Sequence, residues 1–219
     1  MIILNFKSYK EVSGLKALKA AKLAEKVSRS LKVRIAVSPQ FADFSLVASK
    51  SNVEIFSQHV DPVVEGRGTG QISFHSLKEY GVNSSLLNHS ERKVDFFRIK
   101  KTLLIAKKMK FNILLLADTI KEARRLVKLK PWGLGLEPPE LIGTGKSVSE
   151  KEPETLKVFV KLIRKYSPKT IPFCGAGISR REDVEKALEL GAEGILVASA
   201  FDKAKDKMKI LKELAKPFS

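Results

Sequence analysis

The sequence predicts an α/β chain folded as a single (β/α)8 barrel over residues 1–219, and three observations carry that reading. Eight short aliphatic or β-branched runs recur along the chain. Longer segments with helical periodicity separate them, and the runs themselves are nearly continuously apolar, as strands covered on both faces are. Regular alternation of this kind implies parallel strands joined by right-handed crossovers, in an open doubly wound sheet or a closed barrel, and eight units favour the barrel.

The first run, IILNF, ends on Asn5 and is followed by Lys7. The helix after it is amphipathic, because Ala20, Leu23, Ala24 and Val27 fall at i, i+3, i+4 and i+7. VRIAVS and VEIFSQ are the second and third runs, the third closing on Gln58 and His59. SSLLNH is the fourth and closes on Asn88 and His89; in RIKKTLLIAKKMK, which follows, the lysines read as a solvated helical face. NILLLA is the fifth run, and GLGLE, the sixth, ends on Glu137. Ser149 ahead of Glu150 and Glu152 marks the next helix start, and Leu156, Phe159, Val160 and Ile163 repeat the amphipathic spacing. After TIPFCG, the seventh run, Ser179 and Glu182 stand at capping-box spacing, and the glycine of LELGAEG near 191 ends that helix. GILVAS is the eighth run.

Composition bounds the function. With 43% hydrophobic residues, the chain buries one sizeable core. No apolar run reaches the ~18 residues of a membrane span, and MIILNFK lacks the features of a signal peptide, so a soluble, cytoplasmic protein is expected. Cys174 is the single cysteine, and His59, His75 and His89 are too widely spaced for a local metal motif; neither metal nor cofactor is expected. The net charge of +17, from 41 Lys and Arg against 24 Asp and Glu, suits nucleic acid, an anionic surface or an anionic small substrate. Lys-rich helices poor in Asn, Gln, Cys and Met also suit a heat-stable protein.

In such a barrel, chemistry sits where strands end. Asn5, Lys7, Gln58, His59, Asn88, His89 and Glu137 stand there, and the seventh and eighth runs lead into GAGIS and LVASA, whose small residues let backbone N–H groups approach a ligand. A carboxylate base, an electrophile and a cation around a phosphorylated substrate fit that set. The blocks NFK, SQHV, GTGQIS, NHSERK, EPPELIGTGK, CGAGIS and GILVASA, running from the first strand to the last helix, resemble the triosephosphate isomerase family, in particular its short archaeal-type branch.

The resemblance implies the TIM-barrel fold and an isomerase that interconverts glyceraldehyde 3-phosphate and dihydroxyacetone phosphate through an enediolate, in glycolysis and gluconeogenesis. It implies Glu137 as catalytic base, His89 as electrophile and proton shuttle, Lys7 as the cation, Asn5 as its orienting neighbour and Glu91 as the residue that holds the lysine. Asn5, Lys7, Ile142, Gly143, Gly175, Ala176, Gly177, Ala198 and Ser199 are the implied substrate contacts, with phosphate against the N–H groups of Gly143, Gly177, Ala198 and Ser199. A homodimer or homotetramer is implied as well. The segment after Glu137 reads as a lid that excludes water, with Pro138 and Pro139 stiffening one hinge and Thr144, Gly145 and Lys146 forming the other.

Some positions depart from the longer family members. The chain is roughly 30 residues shorter than a typical ~250-residue barrel. Gly177 stands where those members have serine, and Gln71 where they have a glutamate that approaches the partner subunit. The alternative reading is a basic barrel that binds nucleic acid without isomerase activity, yet the basic runs lack interleaved aromatics and a nucleic-acid motif. Specific nucleic-acid or membrane partners are not expected.

Overall fold

The computed structural model describes residues 1–145 and 147–219; Lys146, which the sequence places in the second hinge, lies outside them. Strands β1 (Ile2–Asn5), β2 (Ile35–Ser38), β3 (Glu54–Ile55), β4 (Ser84–Leu87), β5 (Asn112–Ala117), β6 (Gly133–Leu136), β7 (Ile171–Cys174) and β8 (Gly194–Val197) alternate with helices. These are α1 (Leu15–Leu31), α2 (Phe41–Lys50), α3 (Phe74–Glu79), α4 (Phe96–Lys108), α5 (Ile120–Leu126), α6 (Val148–Lys151), α7 (Pro153–Tyr166), α8 (Arg181–Glu189), α9 (Ser199–Asp202) and α10 (Lys207–Ala215). Among the described residues, no helix is long and apolar enough to cross a membrane.

All pairings are parallel, in the order β3-β2-β1-β8-β7-β6-β5-β4. The two outer strands of that order meet through Ser57 and Ser85: the Ser57 N–H donates to Ser84 O at 2.9 Å and the Leu86 N–H to Ser57 O at 2.8 Å. That junction brings the sheet round into a nearly closed barrel. β3 is shorter than the run VEIFSQ suggests: the Phe56 N–H still donates to Val37 O of β2, and Ser57 is the residue that bonds to β4.

The period of two along each strand sorts side chains into two cores. Ile3, Ala36, Phe56, Leu86, Leu114, Leu116, Phe173 and Leu196 fill the barrel interior, with Met1, Trp132 and Ile171 packed against them. Their neighbours Ile2, Leu4, Ile35, Val37, Ile113 and Leu115 face the helices, where Ala20, Ala24, Val27, Leu156, Phe159 and Ile163 meet them. Each large side chain buried this way stabilises the fold by about 1.5–3 kcal/mol.

Three interior glycines are explained by two side chains. A Cβ on Gly194 would come within 2.7 Å of Phe173 Cζ, one on Gly133 within 3.2 Å of Phe173 Cε2, and one on Gly135 within 2.7 Å of Leu116 Cδ2. The GLG of β6 is therefore space for Phe173 and Leu116.

Two helix starts differ from the expected ones. The cap after the sixth strand is Ser147, whose Oγ accepts the Ser149 N–H; the helix then breaks and restarts at Pro153, a residue pre-set for a first turn. Ser149 lies inside α6, and its Oγ donates to Asp183 O. At α8, the carboxylate that accepts from the preceding backbone is Asp183, which takes the Ser179 and Arg180 N–H groups at 2.8 and 3.0 Å; Glu182 is not the residue that does so.

Candidate active site

The strand ends bring Asn5, Lys7, His89, Glu91 and Glu137 together. Glu137 follows β6 and is buried, and Gly175 at the end of β7 makes room for it: a Cβ on Gly175 would stand 2.7 Å from Glu137 Cδ. His89 follows β4 and caps the tight turn Ser90–Arg92, its Nδ1 accepting the Glu91 N–H at 3.1 Å. A ring nitrogen that accepts carries no proton, so the imidazole hydrogen sits on Nε2. That nitrogen faces Glu137 Oε2 at 3.5 Å, and both atoms are buried with no hydrogen-bond partner.

An orphaned buried donor and an orphaned buried acceptor side by side are costly, by about 1–3 kcal/mol each. Burial raises the Glu137 carboxyl above its ordinary range, against the opposing pull of His89, Lys7 and the Ala176 N–H. A carboxylate kept poorly solvated in this way is a stronger base towards a ligand than one in water.

Lys7 completes the group. Its side chain is only 9% exposed, and Nζ donates to Glu91 Oε1 at 2.8 Å. Its backbone has φ 44°, a left-handed conformation that a β1 continuation could not adopt, so the chain turns sharply and carries the side chain over the barrel mouth. The turn is braced twice. The Lys7 N–H donates to Asn5 Oδ1 at 3.1 Å, and Gln58 Nε2 donates to Lys7 O at 3.0 Å and Ser38 O at 3.1 Å. Asn88 at φ 65° does the same for the β4 loop, donating to Leu116 O and Glu122 and accepting the Val94 N–H.

Two hollows open on this cluster and share Asn5 and Lys7. One, of about 120 Å³, is bounded also by Gln58, His89, Glu91 and Arg92. The other, of about 30 Å³, is walled by Glu137, Ile142, Gly143, Ala176, Ala198, Ser199 and Tyr9. Gly175 and Gly177 are not among its walls; Gly175 backs Glu137 instead, and Gly177 at φ 72° forms the turn after Ala176. Tyr9 and the packing role of Gly175 were not singled out by sequence, and Gln58 was noted only as a strand-end residue, since each role depends on contacts across strands distant in the chain.

The loop over the second hollow is bonded largely to itself. Pro139–Leu141 forms a tight turn, Ile142 N–H donates to Pro139 O at 3.2 Å, and Thr144 Oγ1 donates to Leu141 O at 2.9 Å. Ser179 Oγ reaches Gly145 O at 3.3 Å and ties the loop to the turn after β7.

Comparison with known proteins gives this geometry its context. The family model described as triosephosphate isomerase matches residues 1–214. A triosephosphate isomerase of Methanothermus fervidus is 41% identical over 217 residues, covering 98% of this chain and 96% of the relative. One of Pyrobaculum islandicum is 40% identical, with 100% and 96% covered, and one of Methanocaldococcus jannaschii is 37% identical, with 99% of each covered.

Proposed function

The chain belongs to the triosephosphate isomerase family, and from that premise we propose that it interconverts glyceraldehyde 3-phosphate and dihydroxyacetone phosphate at the cluster of Glu137, His89 and Lys7. The observation that carries this reading is the facing pair of unpartnered atoms, His89 Nε2–H and Glu137 Oε2, beside a cation held in place. The carboxylate takes the proton from the carbon next to the carbonyl and returns it to the neighbouring carbon. His89 Nε2–H polarises the carbonyl oxygen and moves the hydroxyl proton between the two oxygens of the enediolate. Lys7 offsets the negative charge that develops there, in a site where water screens little. Asn5 orients Lys7, and Glu91 holds its ammonium.

The phosphate is assigned to the second hollow, against the N–H groups of Gly143, Ala198 and Ser199, with Ile142 and Ala176 beside them and Gly177 supporting the turn. Its volume of about 30 Å³ is close to one water's share of liquid, so substrate entry requires the loop carrying Ile142 and Gly143 to move. That loop is the lid, and excluding water under it keeps the enediolate from losing phosphate. We also assign the chain to the cytoplasm and to a homodimer or homotetramer. Phe97, 81% exposed, and Leu104 leave an apolar stripe on α4 that an oligomer would cover; light scattering reads the state directly. Nothing in the site or in the relatives favours nucleic-acid binding.

A coupled assay of glyceraldehyde 3-phosphate turnover on the wild type and on Glu137→Gln tests the assignment. Turnover by the wild type and a loss of about 10²–10⁴-fold in the variant, with an unchanged melt, are expected. Activity near wild type in Glu137→Gln removes that residue from the proton transfer.

A further inference from the structure

Beyond the facing pair, one carboxyl among the described residues is buried with no partner for either of its oxygens. Asp202 closes the short helix α9, which begins at Ser199 on the wall of the proposed phosphate hollow. The residue is fully buried, and neither Oδ1 nor Oδ2 has a hydrogen-bond partner.

Four charged groups act on it from separate elements. Lys207 on α10 is nearest in effect, Lys7 approaches from the turn after β1, Lys203 follows α9, and Glu11 adds a like charge from the turn Lys10–Val12. All three lysines make their contacts elsewhere: Lys207 Nζ donates to the backbone carbonyls of Asp202 and Ala204 at 2.6 and 3.1 Å, and Lys203 Nζ lies 4.7 Å over the ring of Tyr9. Lys7 is bonded to Glu91. The carboxyl thus sits in a basic surrounding without a direct partner.

We propose that Asp202 is a proton-linked positioning residue for the phosphate of the substrate: it is protonated when the dianion is seated, and its ionisation weakens phosphate binding through the charge of Lys7 and direct repulsion. The inference rests on the phosphate assignment made above. Burial, opposed by Lys207 and Lys7, raises its carboxyl to about 8, so the change of state falls within the range of ordinary assays. Linkage is reciprocal, so a bound dianion must push the same titration further upward.

The probe is glycerol 3-phosphate, which carries the phosphate but no carbonyl and is mainly the dianion from pH 7 upward, its own residual titration being common to both proteins. Its Kd is measured by calorimetry between pH 7 and 9.5 on the wild type and on Asp202→Asn. The wild type is expected to lose affinity by about fivefold or more across that range, and the variant to lose far less. Equal pH dependence in both proteins overturns the role of Asp202 while leaving the phosphate site standing. No binding by the wild type at any pH overturns the site itself, and this proposal with it. Carbon-13 NMR of the wild-type Asp202 carboxyl gives a reading that needs no variant: its titration midpoint is expected to rise when glycerol 3-phosphate is added, and an unmoved midpoint refutes the linkage.

Discussion

At the end of the barrel where the strands begin, polar groups are answered. Arg34 grips Glu54 with two bonds of 2.7 and 2.6 Å and lies 5.6 Å over Trp132, whose ring packs on Phe56 and Phe173. The Met1 ammonium donates to Glu193 O, and Thr170 Oγ1 to Pro131 O. At the opposite end the accounting is different. Every buried side-chain atom without a partner among the described residues, on Ser38, Asp43, His89, Asp118, Glu137 and Asp202, belongs to a strand's C-terminal end or to the loop or helix that follows it. The same eight strands therefore carry a satisfied end that holds the fold and an end where the unpartnered polar atoms collect, those of His89 and Glu137 at the candidate site among them.

That contrast can be broken in both directions. After Glu137→Gln, the largest effect is expected from Lys7→Met at the unsatisfied end, where removal of a cation aimed at developing charge lowers kcat/KM by about 10²–10³-fold while the thermal melt stays in place. Steady-state kinetics within threefold of wild type would make Lys7 a structural residue. Gly175→Ala comes next. Its Cβ displaces the Glu137 carboxylate, and a base moved by about 1 Å costs on the order of 10²-fold in kcat with little change in stability. A variant that melts early but turns over normally would show that Gly175 serves packing alone.

Gly194→Ala tests the other end. Its Cβ drives into the Phe173 ring deep in the interior, so overpacking of about 1–3 kcal/mol is expected. A Tm lowered by about 2–4 °C per kcal/mol should be seen by calorimetry, with kcat per folded molecule unaltered. Loss of activity ahead of stability would contradict the separation of the two ends.

The smallest effect sharpens the comparison. Asp202 is raised from 3.8 to about 8 in the fold, so the folded protein holds a proton that the unfolded chain has released. Stability must then fall as pH rises from about 4 to about 8, and level off above that window. Asp202→Asn should remove part of that decline in chemical denaturation followed across pH. An identical slope in the variant would mean that the carboxyl titrates normally.

Most of the barrel could be read from the chain, because eight aliphatic runs between amphipathic segments record burial directly. The strand-end residues were legible for the same reason: Glu137 and His89 stop apolar runs with a polar side chain where a turn residue would otherwise stand. Features that depend on neighbours across strands were not legible. Gln58 braces Lys7 and Ser38 from another strand, and no local spacing announces that. Helix starts were displaced by small amounts, since Ser147 and Ser149 are equally good caps by type and only the break before Pro153 decides between them. The glycines of GLGLE read as ordinary small residues until Phe173 is seen occupying their space.

That occupancy constrains how the chain can diverge. One large ring on β7 holds the volume that β6 and β8 leave vacant, so positions 133, 173 and 194 form a set whose members change safely only in a certain order. A lineage that first trims Phe173 to leucine accepts a cavity, and then gains from alanine at 194; a lineage that tries the alanine first meets a clash. Sequences related to this one should therefore show small residues at 133 and 194 wherever an aromatic stands at 173, and drift at all three together where it does not.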